Sequence, residues 1–167
     1  MRGAEIVCCV KDNNRVINGI ITDTSKPGTM MELKPSTEPV GGLHSYRAYQ
    51  PGTGDGSPKE LLILDIDSLQ GKTASDAYVS GTVCKLYALQ PGDRVNVRKA
   101  DISGTGSPTE ADAIGDRLLI VDGTGKVANT AVGVEHSKSV RPFVLLETLS
   151  QGDQQAESLV YCRVSGF

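Results

Sequence analysis

Tryptophan is absent from the sequence, and aromatic residues make up only 4% of it. That leaves few anchors for the stacking platforms on which sugars or bases are held. Histidine occurs twice, as His44 and His136, so any Ser-His-Asp or Cys-His chemistry has to pass through one of them. The four cysteines, Cys8, Cys9, Cys84 and Cys162, form no C-x-x-C pair. Metal-ligand spacing is therefore missing, and the thiols read as small buried hydrophobes of a reducing compartment. No run approaches the ~20 apolar residues of a helical membrane span, and MRGAEIVCCV lacks the apolar core of a secretory signal. The expectation is synthesis in a cytoplasm with no membrane partner. Lys/Arg runs never exceed two residues in a chain of net charge −3 and pI near 5.4. The densest basic stretch holds Arg94, Arg98 and Lys99. Nucleic-acid binding needs a basic surface, so no nucleic-acid partner is expected. A patch assembled in three dimensions from scattered residues lies beyond that test.

What the 167 residues do contain is 19 glycines, 8 prolines and many short runs of Val, Ile and Leu. This favours strands and turns over helices. Glu5–Val10 reads as a strand. Arg15–Thr22 holds Asn18-Gly19 between β-branched pairs, which predicts a hairpin with a type I′ turn. Leu61–Asp67 reads as a strand buried on both faces at its start and half exposed at its end. Val83–Leu89 and Arg94–Arg98 read as strands joined by the turn Gln90-Pro91-Gly92-Asp93. Arg117–Val121 and Lys126–Val132 form a second predicted hairpin around Asp122-Gly123-Thr124-Gly125. Phe143–Leu149 and Glu157–Val164 close the chain as a strand pair. Residues 108–114 offer one short helical turn at most.

Residues 23–60 follow no period and are rich in Pro and Gly. A stretch that long is unusual inside a compact domain, and it reads as an extended arm or long binding loop. Its apolar residues Pro27, Met30, Met31, Leu33, Pro35, Leu43, Tyr46 and Tyr49 are then the candidate partner contacts. The expected organisation is a strand and hairpin over 1–22, the arm over 23–60 and a main β-domain over 61–167. The fold class is all-β, a β-sandwich or β-barrel-like domain. The segment from Gly52 to Glu60 echoes Gly104 to Glu110, each ahead of a Leu-rich run. Either a duplicated β unit or recurrent turn chemistry produces such an echo.

Constellations that could carry chemistry are sparse. Asp65 and Asp67 share one side of a strand, as paired acid-base groups or metal ligands need to, but no third ligand stands near them in sequence. Gly71-Lys72-Thr73 has the ending of a phosphate loop, yet the pattern needs glycine where Ile66 stands. Asp122–Lys126 lies between strands instead of ahead of a helix. His44 and His136 sit in polar connections, and no G-x-S-x-G elbow occurs. No catalytic residue, metal or cofactor is expected.

Four segments carry a resemblance: Leu89–Val95 with its Pro91-Gly92-Asp93, Ala113–Leu118 with Gly115-Asp116, Asp122–Val127, and the closing Arg141–Glu147 with Leu159–Val164. Together they resemble the capsid decoration (cement) proteins of tailed-phage heads, over about residues 85–167. The resemblance implies a β-sandwich or barrel-like module that oligomerises, often as a homotrimer, and binds the major capsid protein on the virion exterior. It implies clamping of capsid subunits and no chemistry. A tail or fibre-attachment component, a small hydrolase with a spatially assembled Asp/His or Ser/Lys site, and a sugar- or host-surface-binding module are the competing readings.

Overall fold

The computed structural model describes residues 15–34, 38–49, 60–66, 68–100, 113–120, 124–128, 141–149 and 158–165. Strand 5–10, Cys8, Cys9, Pro35, Asp67 and His136 lie outside them, as do both Gly-Thr-Gly segments. The described residues form ten β-strands and one 3-10 turn at Ser68–Gln70, so the fold is all-β as expected. β1 (Val16–Ile21), β2 (Met30–Leu33), β3 (Ser45–Ala48), β4 (Leu62–Leu64) and β5 (Val83–Ala88) close into a barrel of order β1-β3-β2-β4-β5. β6 (Arg94–Arg98), β7 (Arg117–Ile120), β8 (Val127–Ala128), β9 (Phe143–Leu145) and β10 (Leu159–Val164) form a sheet of order β6-β10-β9-β7-β8. That sheet curls until Lys99, just past β6, bridges Val127 in parallel.

The two units share one plan. β1 pairs with β3 in parallel, and all other barrel pairs are antiparallel. Taking β6–β10 as counterparts of β1–β5, every register pair of the second unit falls on a pair of the first. Ile20↔Val83 matches Arg98↔Leu159, Ile63↔Tyr87 matches Val144↔Arg163, and Met30↔Ile63 matches Arg117↔Val144. The turns agree as well. Gly28 N–H donates to Leu64 O at 2.8 Å and Gly115 N–H to Leu145 O at 2.9 Å. Both glycines hold positive φ, 87° and 98°, which a side chain would strain. The described residues thus form a tandem repeat of one five-stranded plan. The Gly-Thr-Gly echo does not mark it, because the first copy lies between β3 and β4 and the second between the counterparts of β1 and β2.

Two expectations are corrected here. Asn18-Gly19 is no hairpin turn: β1 runs through it unbroken, with Gly19 opposite Cys84. A Cβ on Gly19 would overlap the Tyr46 ring, so this glycine serves close approach in a strand interior. The counterpart of this Gly19/Tyr46 pair in the second unit is Val97/Val127. Nor do the described residues within 23–60 form an arm. They supply β2 and β3, and Met30, Met31 and Tyr46 are buried. Both Met30 and Met31 are covered because β2 has core on each face. The division at residue 61 falls inside the first barrel, and the boundary between units is the Gln90–Asp93 turn.

The units lock together at one seam. In the first barrel Ile20 N–H donates to His44 O at 2.9 Å. In the second unit the matching donor, Arg98 N–H, goes to Gly28 O at 2.8 Å, and the matching acceptor, Gly125 O, receives Met30 N–H at 2.7 Å. The first unit's Pro27–Met30 segment is therefore wedged between β6 and β8. A Cβ on Gly125 would overlap Met30 O, so the wedge needs glycine there. Behind it, Met30, Leu61, Ile63 and Leu89 from the outer face of the barrel complete the second unit's core with Val95, Val97, Leu118, Phe143, Leu145 and Cys162.

Arg15, ahead of β1, donates from Nη1 and Nη2 to the Asp93 carboxylate at 2.6 and 3.3 Å. Asp93 also accepts Gln90 N–H at 2.8 Å, which fixes the inter-unit turn. Asp93→Asn should lower stability by about 1 kcal/mol, the scale of a weakened charge-assisted bond, read as a shift in the denaturation midpoint.

Candidate interaction surfaces

The first barrel's bore is filled by Ile21, Met31, Tyr46, Leu62, Leu64, Tyr78, Cys84 and Leu86. Apolar side chains thus occupy the interior of both units, and the outer faces are what the fold presents to other molecules.

Of the residues singled out in the sequence for chemistry, Asp65, His44 and Gly71-Lys72-Thr73 are among those described. Asp65 is half-buried after β4, and His44 is exposed before β3. Gly71-Lys72-Thr73 is a surface turn, with Gly71 at φ 68° and the Lys72 ammonium 5.7 Å from the Tyr78 ring centre. Asp76 accepts the N–H and hydroxyl of Thr73, both at 2.8 Å, and these bonds hold its carboxyl below the usual range. Among the described residues no group of three or more His, Cys, Asp or Glu could hold a metal. Of the candidate partner contacts, Pro27, Met30, Met31, Tyr46 and Tyr49 are buried within the chain's own core, so they are packing residues. Leu43 is half-exposed and Leu33 is 53% exposed; among the described candidates these two keep surface to offer.

Cys84 and Cys162 are free and buried. Burial pushes the Cys84 thiol up to about 11 and raises that of Cys162 further, the latter aided by Glu147. A thiol whose folded pKa lies above its unfolded one stabilises the fold fully below the unfolded pKa, and that contribution fades as pH rises. Stability should therefore be level near neutrality and fall as pH climbs from about 9 towards 11. At pH 8, mass-spectrometric mapping after iodoacetamide treatment should find both sites unmodified until denaturant is added. Rapid native labelling of either would contradict this packing.

Two surfaces stand out that sequence spacing did not reveal. At one end of the first barrel Leu69, Val79 and Val83 are exposed, and Gln70 Nε2 donates to Val83 O at 3.4 Å, which holds the 3-10 turn beside β5. The second lies across β6, β10, β9 and β7. Arg94 is opposite Arg163, Arg163 opposite Val144, and Val144 opposite Arg117. Their neighbours Val95, Cys162, Phe143, Leu145 and Leu118 point into the core, so alternation puts all four on the outer face. At ordinary strand spacing the row is about 14 Å long. The Arg141 guanidinium lies beside it, donating to Arg117 O at 3.0 Å. Arg94, Arg117 and Arg163 have no ion-pair partner among the described residues. Arg94, Arg117 and Arg163 are 23 and 46 positions apart in sequence order, and only strand register brings them into line.

No family model matches the chain, and the search of curated proteins found no match.

Proposed function

We propose that this protein is a non-catalytic structural component of a tailed-phage head, which sits on the capsid exterior and stabilises the shell by bridging major capsid subunits. The reading rests on the resemblance of residues 85–167 to decoration proteins. The observation that carries it forward is that the chain's own apolar side chains fill the interiors of both repeat units, those of the second unit with help from the first, which leaves recognition to the outer surfaces. Two linked units give one chain two sets of outer faces, and repetition of weak contacts over a shell adds through multivalency. Homo-oligomers, trimers among them, belong to the same proposal. Exposed Leu69, Val79 and Val83, and elsewhere Leu33, Val40 and Ile114, are apolar side chains available to such contacts.

The test is co-sedimentation of the purified protein with expanded empty heads, followed by cryo-EM of the particles. Ordered density on the exterior between capsid subunits is the expected result. A strict monomer that never binds heads, or density confined to the tail, would overturn the proposal.

A further inference from the structure

We propose that the outer face built on Arg94, Arg163, Val144 and Arg117 docks a carboxylate-bearing surface of a protein partner. The repeat supplies the first argument. Arg117, Val144 and Arg163 are the counterparts of Met30, Ile63 and Tyr87. In the first unit that face is already a protein-docking surface: Met30 and Ile63 are fully buried against the second unit, and Tyr87 packs beside them. The second unit presents the same face outward with two of the three positions changed to arginine.

Charge supplies the second argument. Like charges directly opposite each other destabilise a sheet, and Arg94 and Arg163 are directly opposite. An acidic partner removes that repulsion, and guanidinium groups match carboxylates through paired N–H donors. Phosphates satisfy the same donors, but two features favour protein. The row spans only about 14 Å, four strands at ordinary spacing. Half-buried Val144 lies in its middle, giving an apolar centre with a charged rim as in protein interfaces.

This inference goes beyond the phage-head reading, since it concerns the chemistry of the partner and holds for any assembly. Fluorescence anisotropy of the full chain with labelled poly-L-glutamate, and separately with a labelled oligothymidylate, tests it at low ionic strength. Poly-L-glutamate should bind, more weakly as salt is added. Arg117→Ser with Arg163→Ser should weaken binding about tenfold or more. Circular dichroism should not change, and Lys72→Ser, on the other unit, should leave binding intact. No binding to poly-L-glutamate, binding insensitive to the two arginines, or tighter binding of oligothymidylate through them would each overturn the proposal. Failure to bind heads would leave this result untouched, so the two proposals fail separately.

Discussion

Gly19→Val should cost about 3 kcal/mol, at the upper end of what overpacking a core costs, and Tyr46→Val about as much through the cavity it leaves. Combined, the two should cost far less than their sum. A Cβ at residue 19 would overlap the Tyr46 ring, and Tyr46 is buried in the bore, so the two side chains compete for one volume. The second unit shows the other solution to the same packing problem, with Val97 and Val127 at the matching positions, both in its core. A double-mutant cycle by chemical denaturation should give a favourable coupling of about 2 kcal/mol or more. Additive losses would mean that the ring moves aside freely and that the two pairs are not alternatives.

Arg98→Met should be the most damaging change at the seam, lowering stability by about 3 kcal/mol. Arg98 is 6% exposed. Its Nε and Nη2 donate to Pro27 O at 3.1 and 2.9 Å, and Nη2 also donates to Ala74 O at 2.5 Å. Methionine keeps much of the volume and strips the donors, so two carbonyls lose a charged partner. Arg98→Lys should recover less than half of the loss, because one ammonium cannot reproduce the spread of a guanidinium fork. Since Arg98 pins the wedge that covers the second core, Cys162 should become open to alkylation at lower denaturant in the Met variant, ahead of Cys84. Unchanged stability, or simultaneous exposure of both thiols, would show that the seam does not depend on this side chain.

Much of the fold was legible where a segment's burial is simple. Leu61–Leu64 is an unbroken apolar run because one face fills the barrel and the other the inter-unit core. Gln90–Asp93 announced its turn through Pro and Gly, and Gly92 has φ 95°. The Arg117/Val127 hairpin pairs as expected. Asn18-Gly19 misled because a dipeptide reports what a turn tolerates, whereas the reason for Gly19 is a tyrosine 27 positions later. β2 and β3 were hidden by brevity: four residues each, with Met30 and Met31 buried on opposite sides, leave no alternation to read. The arginine row was illegible for a related reason. Three of its four strands contribute one arginine each and β9 contributes Val144, and their alignment is a property of register, which no local window contains.

The wedge at Gly28 and Gly125 also makes the two halves of the chain unequal in the order of their assembly. The β1–β5 barrel hydrogen-bonds around its whole circumference using its own strands. The β6–β10 sheet depends at its seam on the Gly28 carbonyl and the Met30 amide. During synthesis the N-terminal half emerges first, so a finished barrel stands ready when β6 appears and acts as a mould against which the later half is cast. A fragment ending after Leu89 should accordingly fold alone, and one beginning at Gln90 should stay unfolded until that first half is added in trans.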